Sequence, residues 1–184
     1  MKTLLLFAAL SISINLFSQN TFTDTRDNHQ YKTVKIGEQV WFAENFAYKP
    51  ENGNFWAYDD NEQNVLKFGY LYDWETAKQI APEGWHLPTQ KEFETLLNSF
   101  GGDESYDAFL ALKEGGTTGF NALKGGFYWF DEGYEGNNQV SMFWTSTQDD
   151  NEYAWDCRVG DGGETASIHV SDKKSGLSVR FIKD

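Results

Sequence analysis

The single cysteine is the strongest nucleophile that the chain offers. Cys157 would act as a catalytic thiolate only with a basic partner, and the candidates are His86 and His169. Apolar and polar residues alternate over residues 155–159, which places the thiol on the apolar face of a strand. We therefore predict a buried, inert cysteine. One cysteine also excludes an intramolecular disulfide and a zinc or iron–sulfur site with several cysteine ligands.

Two pairs of neighbouring carboxylates could carry out acid–base chemistry or bind a metal ion. Asp59-Asp60 and Asp149-Asp150 each begin a polar loop that continues with Asn and Glu, and glycosidases use two carboxylates. The same loops offer oxygen ligands for calcium, although neither has the spacing of an EF-hand loop. Because such pairs in an acidic chain are usually solvated, we predict no catalytic residue, no metal site and no cofactor. Calcium binding and a carboxylate-based hydrolase are the alternatives.

Known catalytic signatures are missing from the sequence. It contains no Gly-x-Ser-x-Gly elbow, phosphate loop, His-Glu-x-x-His motif or dinucleotide fingerprint. His86 lies between Trp85 and Leu87, and we predict that it is a packed, hydrogen-bonded histidine rather than a catalytic base. The chemistry of the chain therefore favours binding over catalysis.

Aromatic residues beside carboxylates form the candidate ligand-binding site. Tyr128, Trp129 and Tyr134 lie in a glycine-bounded stretch that also contains acidic residues. Flat rings next to carboxylates and amides can stack on a sugar and hydrogen-bond to its hydroxyls. A loop packed on the core would produce the same pattern, so both interpretations stay open.

Composition and charge restrict the class of protein. The chain has 184 residues, of which 40% are hydrophobic and 17% aromatic, enough for one well-packed domain. Its net charge of −13 opposes binding to nucleic acids and to anionic membrane surfaces. Residues 1–18 contain Lys2, a short apolar run and Ser18, which is typical of a secretory signal peptide rather than a membrane anchor. We expect residues 19–184 to form a single secreted domain.

Helix signals lie mainly in the first half of this domain and strand signals in the second. Strand-like runs flank Gly37-Glu38, which predicts an N-terminal β-hairpin with positive φ at the glycine. Thr89 and Glu92 form a capping box that opens a helix, and further short helices are expected near residues 72–80 and 106–113. Residues 48–69 are expected to be irregular. Short strands are expected near residues 120–123, 127–130, 142–144, 153–159, 167–170 and 177–182. This order predicts an α+β fold.

Several motifs in a fixed order resemble the Fibrobacter succinogenes major paralogous domain, a secreted bacterial module. The matching segments cover nearly the whole mature chain: 31–45, 69–74, 84–89, 125–127, 143–147, 154–155 and 178–184. Members of that family often have cysteines where this chain has Ala81 and Phe181, so the resemblance implies that packing replaces a disulfide here. Residues 85–93 and 144–146 are also distantly similar to the C-type-lectin-like and formylglycine-generating-enzyme fold group. That similarity implies two to three short helices packed on a small antiparallel sheet with long irregular loops.

The resemblance does not carry enzyme activity to this chain, because formylglycine-generating chemistry needs a reactive cysteine pair. We expect a secreted, non-catalytic recognition module whose ligand is a polysaccharide or a cell-surface glycan. The main alternative is a structural or protein-interaction component of the bacterial cell surface, with a surface protein as the partner. The oligomeric state is open.

Overall fold

The computed structural model describes residues 20–184 of the chain. The expected signal peptide at residues 1–18 lies outside this range. Within the described range, no helix is both long enough and apolar enough to cross a membrane.

Residues 20–184 form twelve β-strands, four α-helices and one 3-10 turn at Tyr58–Asp60. The strands are β1 (Asn20–Thr23), β2 (Gln30–Ile36), β3 (Gln39–Phe42), β4 (Phe55–Trp56), β5 (Leu71–Tyr72), β6 (Trp85–His86), β7 (Gly125–Trp129), β8 (Gly133–Asn137), β9 (Ser141–Gln148), β10 (Tyr153–Asp161), β11 (Thr165–Asp172) and β12 (Ile182–Lys183). The helices are α1 (Glu62–Phe68), α2 (Trp74–Gln79), α3 (Gln90–Asn98) and α4 (Tyr106–Leu112). The expected mixture of helices and strands is confirmed.

The first sheet contains the predicted hairpin. Its strand order in the described chain is β1-β2-β3-β12-β6, and each neighbouring pair is antiparallel. Gly37 has a φ of 61°, which confirms the predicted glycine turn between β2 and β3. The expectation that the fold begins with this hairpin is wrong, because β1 pairs with β2 ahead of it. Three of the four residues of β1 are polar and exposed, and Phe22 is the only apolar one, so hydrophobic alternation could not reveal the strand.

The second sheet is larger than the small sheet that was expected. Within residues 20–184 its order is β11-β10-β9-β7-β8, and its pairs are antiparallel except for one parallel contact between β7 and β9. A further two-stranded ladder joins β4 to β5. The strand expected at residues 120–123 is absent from the described structure, where Ala122 makes only an isolated bridge to Lys113. The segment 177–182 is likewise mostly bridges, with a regular strand only at its end.

The described chain has four helices instead of two to three. The additional helix, α1, lies in the segment expected to be irregular; its N-cap is Asn61, and none of its residues is buried. Its three apolar residues do not form the buried stripe that predicts a helix, since Leu66 is 91% exposed. The capping box of α3 is present: Glu92 N–H donates to Thr89 Oγ1, and Glu92 Oε2 accepts from Thr89 N–H. This confirms the sequence prediction.

Two clusters of buried side chains hold the domain together. The tryptophans of the family motifs, Trp41, Trp74, Trp85 and Trp144, are all buried, as expected. Two of them also bridge segments, because Trp144 Nε1 donates to the carbonyl of Tyr72 at 2.7 Å and Trp74 Nε1 donates to that of Thr145 at 2.8 Å.

Aromatic packing contributes to holding the C-terminal segment, together with the pairing of β12 with β3 and β6. Phe181 meets Phe42 edge-on at 5.7 Å and Phe46 at 4.8 Å between ring centroids. Cys157 is also fully buried, and burial raises the pKa of its thiol well above the usual value. This confirms the prediction of a buried cysteine.

Candidate functional site

The three aromatic residues predicted to bind ligand lie on β7 and β8, where the structure separates them into two groups. Tyr128 stacks on Trp56 with a centroid distance of 4.5 Å, and Tyr134 lies 5.1 Å from Tyr128. Trp129 instead contacts Phe127 at 4.6 Å and packs against the first buried cluster. Much of the surface of these rings is therefore covered by neighbouring rings.

Tyr134 is also engaged through its hydroxyl group. It donates to Asp60 Oδ1 at 2.5 Å. Partial burial and the nearby carboxylate of Asp60 raise the pKa of Tyr134. This contact joins β8 to the 3-10 turn, where Asp59 and Asp60 have φ values of 56° and 53°.

The second carboxylate pair organises a turn. Asp150 Oδ1 accepts from the backbone N–H groups of Glu152 and Tyr153, both at 2.8 Å. These bonds lower the pKa of Asp150. In the part of the chain that the structure describes, no group of three or more His, Cys, Asp or Glu side chains is arranged to hold a metal ion.

A cleft of about 350 Å³ between α3 and the strands β10 and β11 offers an open site, which we call the tryptophan cleft. Its volume falls at the lower end of the range of about 300–1,000 Å³ that is usual for small-molecule sites. The lining residues combine one indole, two amides, two carboxylates and two aliphatic side chains: Gln90, Glu94, Leu97, Asn98, Asp103, Trp155 and Ile168.

The amphipathic helix α3 supplies the polar wall of the tryptophan cleft. Gln90, Glu94 and Asn98 are four residues apart and therefore lie along one side of the helix. The adjacent apolar side, which includes Leu97, is buried in the second core cluster. The start of α3 is held by its capping box and by the Gln90 N–H, which donates to Thr147 Oγ1 at 3.0 Å. This wall is consequently built on a rigid element.

Trp155 forms the flat wall of the cleft. It lies on β10 opposite Val170 of β11 and is half-buried. Within residues 20–184 it belongs to neither core cluster and makes no aromatic pair. Its indole therefore presents apolar surface to the cleft without another ring packed on it.

The polar groups around Trp155 keep free hydrogen-bonding capacity. Gln90 Nε2 donates to Glu94 Oε1 at 3.0 Å, and Ile168 N–H donates to Asp103 Oδ1 at 2.8 Å. Each carboxylate therefore retains a second oxygen, and the Asn98 side chain has no hydrogen bond within the described residues. Acceptors and an amide thus surround the indole, which is the combination that can bind the hydroxyl groups of a sugar ring.

Sequence reasoning missed the tryptophan cleft. The alternation over residues 155–159 grouped Trp155 with buried Cys157, and the polar side of α3 is indistinguishable in sequence from a solvated helix face. The spacing of amide and carboxylate side chains at 90, 94 and 98 was the available signal. It could not show which surface these residues faced.

Comparison with known protein families finds a match over most of the chain. The model of the Fibrobacter succinogenes major domain matches residues 34–183, from within β2 to the end of β12. This range includes every residue that lines the tryptophan cleft. The chain has no significant match among the curated proteins or among the solved structures.

Proposed function

The chain belongs to the Fibrobacter succinogenes major domain family, and we propose that it is a secreted, non-catalytic recognition module that binds polysaccharide or cell-surface glycan in the tryptophan cleft. The observation that carries the proposal is Trp155, a half-buried indole in a cleft of ligand size with polar groups on the facing helix. The apolar face of a sugar ring packs on the indole. Its hydroxyl groups then donate to Glu94 and Asp103 and accept from Gln90 or Asn98.

The lining of the cleft supports recognition rather than catalysis. The groups in the lining that could take part in hydrolysis are the carboxylates of Glu94 and Asp103, on which the hydrolase alternative would depend. The carboxylates of Glu94 and Asp103 already accept protein hydrogen bonds, as fixed binding groups do.

The proposal includes secretion and a C-type-lectin-like arrangement. The apolar run in residues 1–18 supports secretion. The arrangement is supported by two features: α2 and α3 both pack on β9, and the C-terminal strand β12 pairs with β3 of the N-terminal hairpin. Motif similarity to the lectin-like fold group adds to these.

The experiment uses the protein expressed with its own leader and recovered from the periplasm or medium, where intact mass shows whether residues 1–18 are removed. A glycan and polysaccharide array is probed with calcium and again with a chelator. Saturable binding is expected. Chromatography of oligosaccharides after incubation with the protein is expected to show no cleavage products, whereas cleavage would favour the hydrolase alternative.

Two half-buried tryptophans provide a matched pair of variants. Trp155→Ala is expected to weaken binding by about 30-fold or more, as for an interface hot spot, with a small change in melting temperature. Trp129→Ala is expected to lower the melting temperature and leave binding by the folded protein intact, since Trp129 packs on the first core cluster. Full binding by Trp155→Ala would refute the tryptophan cleft as the site. Silence of the array in both conditions would refute glycan recognition and favour the protein-interaction alternative.

A further inference from the structure

A second cleft, of about 260 Å³, lies beside the C-terminal ends of α1 and α4. Its lining includes Lys67, Lys113 and Lys124 together with Phe109 and Asn138, and we call it the lysine cleft. Three lysines around one cleft stand out in a chain with a net charge of −13.

Within residues 20–184, these three lysines form no ion pair. Four other lysines each lie within 3.5 Å of a glutamate oxygen: Lys32, Lys35, Lys49 and Lys78. In the described part of the chain, none of Lys67, Lys113 and Lys124 forms an ion pair within 4.0 Å. Glu114 and Glu164 also line the cleft, but both side chains are exposed and lie beyond that distance. The three ammonium groups are therefore free of direct ion pairs within the described residues, and the lining carries three positive and two negative charges.

Phe109 holds two of the ammonium groups at the cleft. Lys113 Nζ lies 5.1 Å and Lys124 Nζ lies 5.6 Å from the centroid of its buried ring. A cation over a ring is stabilised by the quadrupole of the ring and keeps its charge available to a ligand. The ring of Phe109 therefore stabilises two positive charges at the same cleft.

Lys124 passes close to the backbone at Gly160. A Cβ at residue 160 would lie 2.9 Å from Lys124 Cε and 3.3 Å from Lys124 Nζ, so the lysine stem crosses the glycine backbone closely. Gly160 also has a φ of 94°, a conformation that other residues rarely adopt. The positive φ favours a glycine at this position of β10, whereas the flexible end of Lys124 could move away from a Cβ.

Helix dipoles account for only part of this arrangement. Lys67 lies in the last turn of α1 and Lys113 is the C-cap of α4, where positive charge is favourable. Lys124 belongs to no helix and precedes β7, so its placement over the same cleft needs another explanation.

We propose that the lysine cleft is an anion-binding site for an oxyanion carried by a ligand, either the carboxylate of an acidic sugar or a phosphate group. Ammonium groups bind such oxyanions as point charges, and the Asn138 amide is a further possible donor. The site is distinct from the tryptophan cleft: Val159, which lines the lysine cleft, lies four strand positions beyond Trp155 on β10, about 13 Å away.

The test follows backbone amide shifts by NMR during titration with D-galacturonate, sodium phosphate and neutral D-galactose. The amides of Lys124, Asn138 and Gly160 are expected to shift saturably with at least one of the two anions and not with galactose. The double variant Lys113→Gln, Lys124→Gln is expected to weaken binding by about tenfold or more. Lys91→Gln removes an exposed lysine of α3 and serves as the control that keeps full affinity.

Each result decides the proposal. Shifts with galacturonate alone identify the acidic sugar as the source of the oxyanion, and shifts with phosphate alone identify the phosphate. A loss of affinity with added sodium chloride is expected in either case. Failure of both anions to shift the three amides, equal shifts with galactose, or full affinity in the double variant would overturn the proposal. Trp155→Ala is expected to leave these shifts unchanged, so the result is independent of the glycan experiment.

Discussion

Replacing Arg180 with methionine tests the most unusual buried group of the domain. The side chain is fully buried and lies over the rings of Phe120 and Phe143, at 4.9 and 5.5 Å. Its guanidinium donates four hydrogen bonds: Nε to Asn45 Oδ1 at 2.7 Å, Nη1 to the carbonyls of Phe42 at 3.0 Å and Phe120 at 2.6 Å, and Nη2 to the carbonyl of Asn121 at 2.8 Å. Burial lowers the pKa of Arg180 to about 9, so the group is still charged at pH 7.

The expected loss of stability follows from these four acceptors. Methionine fills much of the space of Arg180 but donates no hydrogen bond. Three backbone carbonyls and the amide oxygen of Asn45 therefore lose the hydrogen bonds that Arg180 donates. Each unsatisfied buried acceptor destabilises the variant by about 1–3 kcal/mol. This loss is partly offset because the variant does not bury a cation, whose desolvation costs several kcal/mol. We expect Arg180→Met to lower the free energy of unfolding by about 3 kcal/mol or more, a large share of the roughly 5–15 kcal/mol of a typical domain. Arg180→Lys should fall between wild type and Arg180→Met, because one ammonium cannot reproduce the planar fork.

The assay is urea unfolding at pH 7, followed by tryptophan fluorescence and far-UV circular dichroism. Lys183→Met is the control, since it deletes an exposed cation in β12 and should change stability by less than about 0.5 kcal/mol. If Arg180→Met does not fold, Arg180→Lys provides the comparison. The reasoning is refuted if Arg180→Met unfolds within about 1 kcal/mol of wild type with an unchanged urea dependence.

Three further predictions concern smaller contacts. Thr89→Ala removes the N-cap of α3 and should cost about 1 kcal/mol in urea unfolding; an unchanged midpoint would contradict the role of the capping box. His86 Nδ1 lies 2.7 Å from Asp184 Oδ1, and His86 Nε2 lies 3.0 Å from Glu92 Oε1. Partial burial opposes the charged form of the imidazole, but these two contacts raise the pKa of His86 overall. The stabilisation by these contacts should be complete below the unfolded pKa of about 6.5 and should disappear as the pH rises through the higher folded pKa. The free energy of unfolding of His86→Gln should therefore vary less with pH across that window, and a pH profile identical to that of the wild type would count against the contact. Cys157 should react with a thiol reagent only after unfolding, because burial raises the pKa of its thiol; rapid labelling of the native protein would contradict its burial.

Local features of the fold could be predicted because their determinants are close in the sequence. The capping box needs only Thr89 and Glu92, and the glycine turn needs only Gly37 between two strand-like runs. The apolar side of α3 follows from residues three and four positions apart. Helix α1 and strand β1 were missed for the corresponding reason: each is short, and its apolar residues are too few or too exposed to mark one buried face.

The sites depended on the tertiary structure because their parts are distant in sequence. The tryptophan cleft joins α3 to Trp155 and Ile168, and Asp103 reaches Ile168 across 65 positions of the chain. Arg180 finds acceptors 59 to 138 residues away. The class of fold, the capping box and the buried thiol could be inferred from the sequence because each depends on local spacing, and the family resemblance could be inferred from the order of the motifs. Which polar faces share a cleft depended on the tertiary structure, because strand order and helix packing set those distances and no local pattern encodes them.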